Sequence, residues 1–545
     1  MDDAVVVGSG PNGLAAAVTL ARAGLSVTVL EANETVGGGA RTLAPGDDGD
    51  LFAGLPGGVV HDLCSAVHPM AWASPFFRAF DLRAHGVELR TPEVSYAQPL
   101  PGGRAAVAYR DLERTAERLG PDGATWRSLM GPLVEQWEAV VAVGMGDRRS
   151  VPPGILDARD PLRAGAGAVR FALALLEQGS RAWDARFSGD GAALLTGVAA
   201  HTITPLPSLS AAGTALLLGT LAHATPHLSD AQPTGVRPAS DNSHGRAHLS
   251  DPQPTGVRPA SDNAFDGGWP VPRGGSGAIV AALVADLEAH GGRVVTGHRV
   301  RTPADLPAAR AVLFDTTPRT LLDVLGHAVE PGLRRALTSF RHGNAAAKVD
   351  YVLSGPVPWA DPEVGRAGTV HVGGTRDEMA AAENAVAAGR HAERPVCLVS
   401  DPTVTDPSRR VALGNGAGDG ELRPLWAYAH VPAGSDVDVT EAVTAQIERF
   451  APGFRDVVVG TRAIPAAAMA EHNQNYVGGD ISAGAATMWQ ILARPTPRAN
   501  PYRVAGGLYL CSASTPPGPG VHGMGGWHAA RRALRDVFGI RVAAL

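Results

Sequence analysis

Six residues near the start of the chain, Gly8-Ser9-Gly10-Pro11-Asn12-Gly13, have the G-x-G-x-x-G spacing that turns a strand sharply into a helix and aims free amides at a phosphate. Gly8 permits the turn, Gly10 leaves no Cβ between main chain and pyrophosphate, and Gly13 lets the helix lie close on the strand. Pro11 suits the first helical turn, where its missing N–H is not needed. Glu31, 18 residues after Gly13, is placed to accept the hydroxyls of an adenosine ribose, and a carboxylate there favours an unphosphorylated one.

The elements that must position these residues are legible around them. Ala4 to Val7 is a short, β-branched run expected of a strand buried in a parallel sheet. Leu14 to Ala23 is small and aliphatic and reads as a helix, with Gly24 where a left-handed cap would stand, and Leu25 to Leu30 is the next strand. A second cluster, Gly37-Gly38-Gly39-Ala40-Arg41-Thr42, follows. A nicotinamide dinucleotide has no need of it. FAD does, because the longer molecule requires another close approach of backbone at Gly38 and Gly39 and a cation near its diphosphate, which Arg41 supplies as a planar, permanently charged donor set.

At 545 residues the chain is long enough for two or more domains, and 45% hydrophobic residues suffice for sizeable cores. A net charge of −6 provides no basic footprint, which argues against nucleic acid as a partner. Lys348 is the one lysine among 47 basic residues. The first strand starts at residue 4, with no room for a secretory signal before it, so a cytoplasmic location is expected. The apolar stretch Ala211 to Ala224 is interrupted and too short to span a bilayer, and reads as a buried helix. Cys64, Cys397 and Cys511 lie far apart, and with no C-x-x-C pair a dithiol redox mechanism is disfavoured.

His61, Cys64 and His68 have a spacing that could be drawn as three metal ligands, but no fourth cluster accompanies them. No metal is expected, and His68-Pro69 reads instead as polar lining beside the dinucleotide. From Arg78 to Trp183 the pattern is helical, with helices at Asp111 to Leu119 and Trp126 to Val143 and a break at Val151-Pro152-Pro153. A 16-residue unit beginning at His227 returns at His248, and its Pro, Ser, Asp and Gly content makes residues 225–266 a disordered insertion. Gly274-Gly275-Ser276-Gly277 fails as a nucleophile elbow because Ala278 holds the last glycine position; it feeds a helix from Ala278 to Ala289. Gly292 to Val300 reads as a strand pair and Ala311 to Phe314 as a buried strand. Between 321 and 500, strands near Ala347–Leu353, Thr369–Val372, Val396–Val399 and Trp426–His430 and a helix from Thr440 to Phe450 suggest a largely antiparallel sheet. Gly414 to Gly420 is a loop, and no second dinucleotide fold is found.

Together the Gly8–Gly13 loop, Glu31 and the Gly37–Thr42 cluster resemble the N-terminal signature of the glutathione-reductase-like flavoproteins, in the branch that holds phytoene desaturases and flavin amine oxidases. Strand, Gly/Pro turn and helix from Gly507 to about Trp527 resemble the closing motif of the phytoene desaturases, and the likeness covers nearly the whole chain outside 225–266. The resemblance implies an α/β fold: a glutathione-reductase-like FAD-binding Rossmann domain (1–77, 267–320 and 501–545) with an inserted α+β substrate domain of helices (78–224) and antiparallel sheet (321–500). It places the Val300 backbone at adenine, Ser514 at the ribityl chain, and the helix N-terminus at Gly523-Met524 against the flavin pyrimidine ring, although Ser512, Ser514, His522 and Trp527 depart from the usual residues. Gly343 to Tyr351 is similar to the strand on which amine oxidases place a lysine that holds water at flavin N5, so Lys348 stands either there or in a salt bridge with Asp350. The implied activity is hydride transfer from a small hydrophobic substrate to flavin N5, as desaturation or isomerisation, with Lys348 and His68 as catalytic candidates and peripheral membrane contact as an expectation. An amine oxidase using O2 and an FAD-bound regulatory protein without turnover are the alternatives.

Overall fold

The protein is described by a computed structural model covering residues 2–44, 47, 54–147, 161–225, 267–412, 420–543 and 545; the duplication at 227–263, the break at 151–153 and most of the 414–420 loop lie outside the described residues. Strand β1 (Asp2–Val7), helix α1 (Pro11–Arg22) and strand β2 (Val27–Leu30) make the expected parallel βαβ start, with β1 and β2 in register from Ala4↔Val27 to Val7↔Leu30. Ala15, Ala16 and Ala17 of α1 are wholly buried, and their small side chains let another helix approach closely.

A hairpin of β3 (Val94–Leu100) and β4 (Arg104–Tyr109) corrects the helical reading of residues 78–183. Its alanine-rich second strand gave little strand signal, yet Ala105, Ala106 and Ala108 are buried once helices, Asp190–Ala199 and Leu209–His223 among them, pack over this edge of the sheet. Helices α2 (Gly123–Val134) and α3 (Trp137–Met145) replace the single expected helix, the break falling at Gln136 with φ −125° and ψ 32°. Helices α4 (Pro161–Gln178), α5 (Asp190–Ala199) and α6 (Leu209–His223) complete this helical layer; α6 is the buried helix expected from its sequence.

Helix α7 (Gly277–Ala289) leads into β5 (Arg293–Val295) and β6 (Ala309–Phe314). The expected pair of strands over 292–300 is a single short one, because Gly297 turns the chain at φ +64°. Next come β7 (Ala345–Leu353), β8 (Ala367–Val372), α8 (Arg376–Ala387), β9 (Cys397–Ser400), β10 (Glu421–Val431), α9 (Thr440–Glu448), β11 (Val458–Ile464) and the short α10 (Met488–Ala493). The chain closes with β12 (Arg503–Ala505), β13 (Leu508–Leu510) and α11 (Met524–Ala533).

Two sheets organise these elements. The first has the order β12-β13-β6-β1-β2-β5 and is parallel apart from edge strand β12, so three remote stretches of sequence build one Rossmann-like sheet. The second runs β11-β7-β10-β9-β8-β3-β4 and is antiparallel except where β8 meets β3. One face of it is dry, with Val349, Tyr351, Ala427 and Val399 packed on Val443 and Ile447 of α9. Its other face carries the row Lys348–Tyr428–Leu398–His371, aligned by direct pairing across four strands.

Candidate functional site

A cavity of ≈ 460 Å³ lies where the two sheets face each other. One end is walled by Gly8, Gly10, Pro11, Asn12, Glu31 and Val300, and by Gly38 and Gly39. The other is walled by Trp269, Leu398, Trp426, Tyr428, Leu217 and Ile491. The Pro517–Val521 turn closes it from the third stretch of chain.

The two glycine clusters form one cradle. A Cβ on Gly38 (φ +55°) would lie 3.1 Å from the Gly10 Cα, and one on Gly13 would lie 2.2 Å from the Gly8 carbonyl oxygen. Glu31 is buried and fixes the loop from the far side: its carboxylate accepts from the Ser9 amide at 3.0 Å, from the Ser9 hydroxyl, and from the Asn33 amide at 2.9 Å. Arg41 stands behind the cradle rather than on the cavity wall. Its Nε donates to the Gly38 carbonyl at 3.0 Å, Nη1 to Thr35 Oγ1 at 2.9 Å and Nη2 to the His472 carbonyl, so it shapes the loop that bears Gly38.

At the closing motif, the residue on the cavity wall is Ala513; the Ser514 hydroxyl points away and donates to the Ala483 carbonyl at 2.8 Å. The first turn of α11 is capped by His522, whose Nδ1 accepts the Met524 amide at 3.1 Å while Nε2 reaches the Gly518 carbonyl at 3.2 Å. That cap accounts for a histidine where a small residue was expected. Gly523 (φ +69°) makes the turn, and neither it nor Met524 lines the cavity, which ends at Val521.

His68 does line it. The Ser276 hydroxyl donates its one proton to the Ser65 carbonyl, so the 2.7 Å contact between His68 Nε2 and Ser276 Oγ requires the proton to sit on Nε2. Nδ1 is left as an acceptor. Burial pulls the His68 pKa down to about 4 against the opposing pull of Asp62, so the ring is neutral. Asp62 itself joins three parts of the chain: it accepts from Thr42 Oγ1 at 2.6 Å and from the Ser276 amide at 2.9 Å, and it pairs with buried Arg409 at 2.8 Å. Burial would raise its pKa, but Arg409 and these donors hold it below the ordinary carboxylate value.

Lys348 is buried and does not line the cavity. Its ammonium pairs with buried Asp350, and its positive charge acts on the nearby Cys64 thiol, which is on the wall. Replacing Lys348 by methionine is expected to cost about 3–5 kcal/mol, because it takes the ammonium from a buried carboxylate whose other neighbour, His61 Nδ1, stands 3.4 Å away. Urea denaturation should show the double variant Lys348→Met/Asp350→Leu recovering most of that loss; equal losses in both variants would contradict a pair that acts as a unit.

Two groups on this site were not found from sequence. Asp315, at the end of β6, lies in the glycine cradle with Oδ2 accepting the Gly13 amide at 2.9 Å. The available signal was an acid closing an apolar strand, as Glu31 closes β2. His201 lines the cavity and its Nε2 lies 2.8 Å from Nε2 of buried His371, with burial the main cause that takes His201 down to about 3 and His371 well below the ordinary histidine value. Nothing local in sequence joins residues 170 apart.

The two sheets together have the fold of solved amine oxidases. The model of the NAD(P)-binding Rossmann-like domain matches residues 6–80, and putrescine oxidase bound to putrescine has the same fold, with a TM-score of 0.53 at 17% identity over 99% of both chains. The chain is homologous to pyridine nucleotide-disulfide oxidoreductase domain-containing protein 2 of Rattus norvegicus, 25% identical over 579 residues covering 98% of this chain and 94% of that one. Flavin-containing amine oxidase B of Cavia porcellus is 31% identical over 144 residues, 25% of this chain and 27% of that one.

Proposed function

We propose that this protein is an FAD-dependent oxidoreductase that dehydrogenates or isomerises a lipophilic, uncharged substrate. FAD fits the residues present. Gly8, Gly10, Gly38 and Gly39 bring main chain to the cavity wall with no side chain of their own, the first residues of α1, Pro11 and Asn12, stand on the same wall, and there Glu31 would take the ribose and the Val300 backbone would meet adenine. Bound there, the flavin supplies a hydride acceptor.

The observation that carries the reading is the distribution of charge along one shared cavity. Among the described residues its only lining carboxylates are Glu31 and Asp315, both at the dinucleotide end. The end beyond the flavin is walled by aromatic and aliphatic groups together with neutral His201, hydroxyls such as Thr214 and Thr369, and the Arg494 cation, so a substrate ammonium would find no counter-ion there. His68 presents an acceptor nitrogen to the reacting region, and Lys348 acts as a positioning residue behind the Cys64–Tyr428 wall.

The outer surface agrees. Val169, Leu173 and Leu176 of α4 are 60%, 62% and 56% exposed, and Trp489 and Leu492 of α10 are 69% and 57% exposed. Both helices pack on α6, whose Thr214, Leu217 and Leu218 line the cavity. Five side chains fall short of the roughly 20–30 residues a side of a stable protein interface, whereas an exposed tryptophan beside aliphatic residues suits a lipid surface. We therefore assign this face to peripheral membrane contact, which would deliver substrate to the cavity.

An amine-oxidase reading keeps one structural argument: the Trp426 and Tyr428 rings, 5.1 Å apart at 88°, could face a cation. Anaerobic bleaching of the purified yellow protein decides between them. Lipophilic polyenes or alcohols presented in vesicles should bleach the flavin, with the protein co-sedimenting with those vesicles. Bleaching only by amines, with peroxide released in air, would transfer the assignment to the amine oxidases. A flavin that no class reduces, with no isomerised product recovered from the vesicles, would leave a regulatory protein.

A further inference from the structure

The carboxyl of Asp315 is built into the dinucleotide cradle. Besides the Gly13 amide, the Gly10 amide also faces it, and a Cβ on Gly10 would lie 2.6 Å from Oδ2, so the carboxyl fills the space this glycine leaves. Its main chain cannot swing away: the Asp315 amide donates to the Val7 carbonyl at 2.8 Å, and its carbonyl accepts from Asn475 Nδ2 at 3.0 Å. Glu31 and Asp315 end the two strands that flank β1, on either side of one loop, and both reach the cavity wall.

A bound diphosphate would add two more negative charges to that loop. The groups facing Asp315 offer little to offset them. From β2 comes Glu31, an anion; from the end of β13 comes the Cys511 thiol, its pKa raised by burial and then by Asp315 itself; from the 473–475 loop come neutral amides. Arg41 is turned to Gly38, Thr35 and His472, His522 to Gly518 and Met524, and His298 to the Asp305 carbonyl, while exposed Arg299 is the cation beside Val300 on the same cavity wall.

We propose that Asp315 takes up a proton when FAD binds and serves, as the neutral acid, as a hydrogen-bond donor within the cradle, so that cofactor affinity in this protein is linked to pH. The inference rests on the FAD reading above. Burial, with Glu31 adding and the Gly13 and Gly10 amides opposing, already pushes the Asp315 carboxyl up to about 7 in the cofactor-free protein. The diphosphate moves it further in the same direction. Above pH 7, therefore, binding must first re-protonate the carboxylate, and affinity falls by up to about tenfold per pH unit.

The test is titration of flavin-stripped protein with FAD between pH 6.5 and 8.5, followed by quenching of flavin fluorescence. Wild type should weaken steeply above pH 7, while Asp315→Asn, which keeps a donor but cannot ionise, should give a flat profile. Calorimetry in two buffers of different ionisation enthalpy reads the proton directly on wild type, without reliance on a variant: about half a proton should be taken up per FAD near pH 7. A flat wild-type profile with no proton uptake, or an unchanged slope in Asp315→Asn, overturns the inference alone. Failure of wild type to bind FAD at any pH overturns the cofactor reading and this inference with it.

Discussion

Gly526→Ala is expected to be purified colourless, or to remain unfolded, whereas Gly506→Ala keeps both flavin and stability. A Cβ on Gly526 would lie 1.8 Å from the Asn12 carbonyl oxygen and 2.9 Å from the Ala16 amide nitrogen, and neither backbone atom can rotate out of the way. α11 therefore cannot seat on α1 without displacing the first turn of α1, which carries Pro11 and Asn12. Overpacking of this kind costs about 3 kcal/mol or more when backbone has to move. At Gly506 nothing lies within 4 Å of the added methyl group. Flavin absorbance of the purified proteins and their melting temperatures check the pair, and a yellow Gly526→Ala with wild-type melting would contradict the close contact of the two helices.

The second large effect concerns acid. Burial holds five histidines neutral: His68 and His223 at about 4, His201 and His528 at about 3, and His371 well below the ordinary value. Each has a folded pKa below its unfolded value, so its contribution is fully present above about 6.5 and is lost as the pH falls toward the folded pKa. Asp315, raised to about 7, works the other way, its contribution being lost as pH rises from about 4 to 7. Asp401 is raised by burial in the same direction as Asp315, and five groups against two leaves about three to four protons taken up on unfolding near pH 5, each worth about 1.4 kcal/mol per pH unit. Typical domains have only about 5–15 kcal/mol in total. Urea midpoints measured from pH 7.5 down should collapse between pH 6.5 and 5; a midpoint that holds constant across that window would contradict the neutral assignment.

The parts of this molecule that were legible in sequence are those whose signal is local. The Gly8–Gly13 loop, α1, β2 and Glu31 lie within one stretch of chain, and each residue type follows from what its neighbours must do. The β3–β4 hairpin was not legible, because alanine carries little strand preference, its burial on β4 comes from helices such as α5 that only the fold packs over it, and the other neighbour of β3 is β8, more than 250 residues on. Ser514, expected at the ribityl chain, turns its hydroxyl to the Ala483 carbonyl instead, because the Gly/Pro turn sets the direction of each side chain there and brings Ala513 to the wall. Arg41 was expected to face phosphate, but its guanidinium is drawn to carbonyl oxygens at Gly38 and His472, the second supplied by a helix far away in sequence. Asp315 and the His201–His371 pair required the fold itself, since each gains its meaning from a partner that only the sheets bring near.

The order of strands in the first sheet also governs biosynthesis. β13 docks on β6, which docks on β1, and the turn that closes the cavity follows β13, so the cradle has a missing wall until residue 521 has been made. A nascent chain that has not yet made β13 and this turn thus lacks one wall of the cofactor cavity, and stable loading with FAD is expected only after both have been synthesised.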